Sequence, residues 1–257
     1  MADEPLLRVD GLTVRYGRQA AVAAASLTLH PGEVVAIVGE SGSGKTTLLR
    51  AVAARVPLAE GRVHYRDRDD RWRDVPALPE RERRALLRSE WGFVEQHAHE
   101  GLRLGVSAGA NIAERLMDAG GRHHATLRGT AQAWMARVEL DPRRVDESPR
   151  NFSGGMRQRL QIARNLVSAP RLVLMDEPTS ALDVSVQARL LDLLRSLVTR
   201  LHLSALVVTH DLGVARLLAH RTLVMQGGRI VEQGLTDRVF DDPQHPYTQL
   251  LVSSVVT

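Results

Sequence analysis

One stretch constrains this chain more than any other. Gly39-Glu40-Ser41-Gly42-Ser43-Gly44-Lys45-Thr46 follows the apolar run Val34-Val35-Ala36-Ile37-Val38 and precedes a helix-period segment from Thr46 to Arg55. A G-x-x-x-x-G-K-[ST] spacing between a buried strand and a helix predicts a phosphate cradle at the tip of a parallel α/β sheet. The glycines let the backbone turn so that its N–H groups point inward at phosphate oxygens, and the helix adds its positive end. Lys45 supplies a compact cation to β- and γ-phosphates, and the Thr46 hydroxyl supplies a ligand for Mg²⁺. The alternative is a glycine-rich turn that binds nothing. Composition argues against it, because Lys45 is the only lysine among 34 basic side chains. Where arginine has otherwise displaced lysine throughout, a surviving lysine marks a place that a planar guanidinium does not fit.

Two further apolar runs, Leu172 to Met175 and Ala205 to Val208, also end in polar residues, and helical periodicity follows at Val184–Leu201 and Leu212–Ala219. Strand, polar tip and helix, repeated, predict an α/β fold whose active groups gather at the strands' carboxyl ends. Dense charge from Arg66 to Arg88 reads as a solvated loop followed by an exposed helix, a solvated face rather than a nucleic-acid surface. From about His97 to Val167 strands give way to helical signals, which predicts a helical insertion. Beyond Asp241 the DDPQHPY turn introduces a short final helix, Thr248 to Val255. His123 and His124 read as surface residues on a helix.

The second half of a phosphate site should be acidic, and Asp176-Glu177 provides it at the end of an apolar strand. Two acids after a strand are often only a turn. Beside a phosphate loop they gain a reason, because phosphoryl transfer needs its metal held from both sides. Asp176 is then positioned to hold Mg²⁺ through water. A carboxylate is a weak base in general, so Glu177 is better suited to orienting the attacking water.

Other classes fall away on composition. Hydrophobic content of 44% and charged content of 25% are those of a globular protein. The chain has no cysteine, which removes disulfides, thiolate zinc sites and cysteine nucleophiles. A net charge of +4 is weak grounds for nucleic-acid binding, and no such partner is expected. The first residues carry acids without an apolar core, and no uninterrupted apolar stretch reaches membrane-spanning length. The expectation is a cytoplasmic protein whose membrane role, if any, comes through a partner.

More residues in order along the chain resemble a known family. Phe152-Ser153-Gly154-Gly155-Met156 resembles the signature motif of ATP-binding-cassette (ABC) ATPases, and Gln96 after Gly92-Phe93-Val94 resembles their Q-loop. Ser180-Ala181-Leu182-Asp183 resembles the D-loop, His210 the switch histidine, and Tyr16 the ring stacked on adenine, although a lone aromatic near a turn is ordinarily packing. The resemblance implies an ABC-type P-loop ATPase with a RecA-like core, an antiparallel β subdomain and an inserted helical subdomain. The expected nucleotide-binding domain covers residues 5–240 (core 5–96 and 167–240, helical subdomain 97–166), with a C-terminal extension at 241–257. It further implies Mg²⁺-dependent ATP hydrolysis by a head-to-tail dimer. Tyr16, Gly39, Ser41, Gly42, Ser43, Gly44, Lys45, Thr46 and Thr47 would bind ATP, with Ser153, Gly154, Gly155 and Asp183 acting across the dimer. Thr46, Gln96 and Asp176 would serve the metal, and Glu177, His210 and Gln96 the reaction. Met156 stands where the family usually has glutamine and is left out of the contact set; Phe152 is expected only to pack.

Two resemblances bear on the partner. His245-Pro246-Tyr247-Thr248-Gln249-Leu250-Leu251 resembles the tail of dipeptide, oligopeptide and nickel importer ATPases. The stretch from His97 to Gly109, Asn111 to Leu116, Glu90 to Gln96, Asp211 to Leu218 and Leu235 to Val239 instead resemble the cassette family of the bacterial carbon–phosphorus lyase system. The second implies docking on a soluble lyase core complex, with a dimer partner that is either the same chain or a paralogous cassette. The first implies a membrane permease.

Overall fold

Why the chain forms these elements follows from its two periodicities. In the computed structural model, residues 4–118, 120–180 and 182–254 are described. In chain order they form β1 (Leu7–Tyr16), β2 (Gln19–Leu29), β3 (Val34–Val38), α1 (Lys45–Val52), β4 (Glu60–Arg66), β5 (Trp72–Asp74), α2 (Glu80–Glu90) and β6 (Trp91–Val94). Helices α3 (Ala98–Gly101), α4 (Ala108–Asp118), α5 (His124–Arg137) and α6 (Gly154–Leu166) come next, then β7 (Leu172–Asp176) and α7 (Val184–Leu201). The chain closes with β8 (Ser204–Val208), α8 (Leu212–Leu218), β9 (Arg221–Gln226), β10 (Arg229–Leu235), α9 (Thr236–Asp241) and α10 (Pro246–Ser253). These elements fall into two compact units, Met1–Arg83 with Leu197–Thr257, and Arg84–Ser196.

The first unit holds an antiparallel sheet in the order β2-β1-β4-β5. Its β1 strand starts with alternation, Leu7 and Val9 buried against exposed Arg8 and Asp10, as a sheet with one wet face requires. The same unit contains β3 paired in parallel with both β8 and β9, and β10 antiparallel to β9. All five residues of β3 and of β8 are buried, which explains the unbroken apolar run of β3 and that of β8 after Ser204. Ala36, Val38 and Val224 pack with Leu212 and Ala215 of α8 and Val239 and Phe240 of α9. Tyr247, Leu251 and Val252 of α10 lie against that cluster, so the C-terminal extension is part of this core.

The second unit pairs β6 with β7 in parallel and carries α3 to α6. Three polar residues on one face of α6 pair with the backbone of β6 and of Glu95 just beyond it. Asn165 Oδ1 accepts the N–H of Phe93 at 3.0 Å, and Gln161 Oε1 accepts that of Glu95. The Nε2 groups of Gln161 and Gln158 donate to the Glu95 carbonyl at 3.2 and 3.4 Å. Side-chain amides thus stand in for a neighbouring strand. Leaving such a buried group unpaired costs about 1–3 kcal/mol, so these glutamines and this asparagine hold the chain just before Gln96.

Several sequence expectations need correction. The charged run after Arg66 is not simply a solvated loop. It contains β5, and Asp67 is buried while accepting the N–H groups of Asp69 and Arg71 and the Nε of Arg73 at 2.8 Å. Burial pushes the Asp67 carboxyl up, but the Arg73 guanidinium and the two N–H groups outweigh it and hold the group below the usual carboxylate range. A buried acid with local donors has no signature in a charge count. His123 lies before α5 rather than on it and caps it, its Nδ1 facing the Thr126 N–H. Helix α10 starts at Pro246, two residues earlier than expected, because proline suits a first helical turn. The expected end at Val255, and Ala181 of the D-loop, lie outside the described residues. The helical reading between β6 and β7 holds: no described residue there is in a strand.

Candidate functional site

The sequence-predicted residues divide between the two units. In the first, β3 ends at Val38 and the chain turns through Gly39 to Gly44 before α1 begins. Gly44 has φ +101°, and a Cβ there would sit 2.4 Å from the Ala21 carbonyl oxygen, so this turn excludes any side chain. Lys45 is only 5% exposed; its Nζ donates to the carbonyls of Gly39 and Glu40, both at 2.8 Å. The loop is closed by Ser43 N–H to the Glu40 carbonyl and by Gly228 N–H to the Ser43 carbonyl. Among the described residues the buried Ser43 hydroxyl meets no hydrogen-bond partner. An uncommitted hydroxyl, a buried ammonium and a helix N-terminus with Thr46 and Thr47 in its first turn together fit a polyphosphate.

His210 belongs to the same edge. Ile37 pairs with Val208, and the Thr209 N–H reaches the Ile37 carbonyl at 3.1 Å. The chain beyond β8 therefore starts level with the phosphate loop beyond β3. Asp211 Oδ1 accepts the N–H groups of Gly213 and Val214, which caps α8 and fixes the turn carrying His210. Tyr16 ends β1 with 58% of its surface exposed, so packing does not account for its ring.

In the second unit, Val94 pairs with Met175, which brings Gln96 and Glu177 to one strand tip. Gln96 Nε2 donates to Glu177 Oε2 and to Ser180 Oγ, each at 3.3 Å. Asp176 closes β7 almost fully buried. Glu177 has φ +42°, a left-handed conformation that costs a non-glycine residue of order 1–2 kcal/mol. Ser153 caps α6, its Oγ accepting the Met156 N–H at 3.3 Å. Gly154 and Gly155 form the first turn, and Asp183 directly precedes α7, its carbonyl accepting the Val186 and Gln187 N–H groups. Gln96, His97, His99, Gly154, Arg157 and Leu182 border a cavity of about 120 Å³.

Gly155 is required by packing: a Cβ there would lie 2.4 Å from Val186 Cγ1 on α7. Gly155→Ala should destabilise the protein by about 1–3 kcal/mol through overpacking, read as a drop in melting temperature; Gly154→Ala, with its nearest contact at 3.7 Å, should cost less.

The family model described as ABC transporter matches residues 22–180. The chain belongs to the ABC transporter family of ATP-binding cassettes. It is an ATPase cassette, and the α/β fold with an antiparallel sheet agrees with that. A solved dimeric post-hydrolysis structure of the ATP-binding cassette MJ0796 bound to ADP and Pi is 29% identical with a TM-score of 0.78, covering 90% of this chain and 98% of that one. The cassette is 59% identical over 254 residues, 99% of each chain, to a protein of Escherichia coli (strain K12) named as a phosphonates utilization ATP-binding protein, PhnK. It is 36% identical to the oligopeptide transport ATP-binding protein OppD of Bacillus subtilis (strain 168), over 98% of this chain and 72% of that one. A second family model, the C-terminal region of oligopeptide/dipeptide transporters, matches residues 231–257. Among the described residues no helix is long and apolar enough to cross a membrane.

Sequence reasoning missed contributors that tertiary contact reveals. In sequence Ser180 is only part of a D-loop-like motif, yet its hydroxyl donates to the Glu177 carbonyl at 3.1 Å and accepts from Gln96. Glu232 carries no motif at all. Its carboxylate accepts the N–H groups of Gln244 and His245, both at 2.9 Å. Burial pushes that carboxyl up, but the two backbone N–H groups prevail and hold it below the usual range.

Proposed function

We propose that this cassette is the ATPase of a bacterial carbon–phosphorus lyase system. It acts in the cytoplasm as a head-to-tail dimer, with itself or a paralogous cassette. It docks on the soluble lyase core complex and couples ATP turnover to phosphonate catabolism. The observation that carries this reading is the 59% identity to the phosphonates utilization protein across 99% of both chains, against 36% to the oligopeptide transport protein.

In this reading residues 5–96 and 167–240 form the catalytic core, 97–166 the helical subdomain and 241–257 an extension. Lys45 and the loop of Gly39, Ser41, Gly42, Ser43, Gly44, Thr46 and Thr47 bind the phosphates, and the exposed Tyr16 ring stacks on adenine. Ser153, Gly154 and Gly155 offer a capped helix N-terminus to the γ-phosphate held by the opposite protomer, and Asp183 carries contacts across that dimer. Thr46, Gln96 and Asp176 are the residues that would hold Mg²⁺, which when bound would neutralise charge on the phosphates. Glu177 orients the attacking water, and its contact with Gln96 supports that placement. His210 hydrogen-bonds the γ-phosphate.

A second reading, an importer ATPase, is favoured by the C-terminal match to oligopeptide/dipeptide transporters. Affinity purification of the tagged chain from cells grown on a phosphonate separates the two. Recovery of soluble lyase subunits is the expected result, whereas an integral permease in their place overturns the lyase assignment.

A further inference from the structure

The C-terminal helix reaches the phosphate loop. The Glu40 N–H donates to the Tyr247 hydroxyl at 2.8 Å, across 207 positions of sequence. The carbonyl of the same residue accepts from Lys45 Nζ and from the Ser43 N–H. Both polar groups of Glu40's backbone are therefore committed, one inside the loop and one to α10.

Tyr247 is itself firmly placed. Its ring packs on the cluster formed by Ala36, Val38, Leu212, Ala215, Val224, Val239 and Phe240, beneath the strand that leads into the loop. Its N–H faces His245 Nδ1 at 3.2 Å. One turn of chain before it, Glu232 of β10 grips the N–H groups of Gln244 and His245, and the neighbouring Thr248 is fully buried. A continuous set of contacts runs from β10 through the turn to the Tyr247 hydroxyl and the loop.

We propose that Tyr247 is a positioning residue for the phosphate loop: its hydroxyl holds the Glu40 peptide so that the loop stays open to the nucleotide's phosphates. The C-terminal extension thereby becomes part of the nucleotide site without touching the nucleotide. A loop rich in glycine has many alternative conformations, and fixing one peptide before binding removes part of the ordering cost that the ligand must otherwise meet. This inference rests on the reading of residues 39–46 as the ATP site.

Tyr247→Phe tests it, since the ring and its packing remain and only the hydroxyl is lost. ATP binding is measured by calorimetry with Mg²⁺, alongside kcat and melting temperature. The expected result is a Kd for ATP raised about three- to tenfold, the range of one hydrogen bond, with kcat within twofold of the parent. A Kd within 1.5-fold of the parent overturns the proposal, as does a fall confined to kcat. Glu232→Gln should raise the Kd in the same direction by loosening the turn, and should add little to Tyr247→Phe in the double variant; full additivity also overturns it. Failure of the parent chain itself to bind ATP would instead reject the site assignment.

Discussion

Lys45→Ala should abolish measurable ATP binding while leaving the fold intact. The ammonium is buried and held by two loop carbonyls, so it is aimed without needing to be ordered by the ligand. Removing it deletes charge-assisted hydrogen bonds worth about 1.5–3 kcal/mol each. Two such bonds lost to β- and γ-phosphates weaken binding on the order of 10² to 10⁴-fold. Lys45→Arg should not rescue, because a planar fork is too large for a position with 5% exposure between the carbonyls of Gly39 and Glu40. Calorimetric titration with ATP and Mg²⁺ checks both variants; tight binding by Lys45→Ala would remove the loop from the site.

Glu177→Gln should separate binding from turnover. Glutamine preserves size and an oxygen that can accept from Gln96, so the strand tip keeps its contacts and stability changes little. Lost is the negative charge that the proposed mechanism uses to orient water, and hydrolysis should fall about 10² to 10³-fold. With hydrolysis stalled, ATP should persist between two protomers, and light scattering in ATP and Mg²⁺ should report a dimer where the parent chain cycles. An unchanged turnover rate would displace Glu177 from its role.

How far the sequence carried can be judged at particular residues. The strands β3, β7 and β8 were legible because a parallel strand buried on both faces is a near-continuous apolar run. The phosphate loop was legible because the G-x-x-x-x-G-K-[ST] spacing between strand and helix turns backbone donors toward a phosphate. β5 and the buried Asp67 were not. Three residues amid arginines and aspartates make a strand only by pairing with β4, and that pairing lies outside any local window. Helix α6 shows the same limit. Its sequence announces a capped N-terminus, but the use of Gln158, Gln161 and Asn165 to satisfy β6 appears only when the two elements meet.

Contiguous residues alone carry the family and the chemistry proposed for them: the loop from Gly39 to Thr46, the acids Asp176 and Glu177, and the Ser153 cap. Local motifs suffice there because backbone geometry over eight residues already builds the donors. The tertiary structure alone decided which distant residues steady them. The Gln96 contact to Glu177, the amide clamp on Glu95 and the Tyr247 hydroxyl on Glu40 each join positions scores of residues apart. Hydrogen bonds reach about 3 Å in space and are blind to separation along the chain, so no periodicity records them.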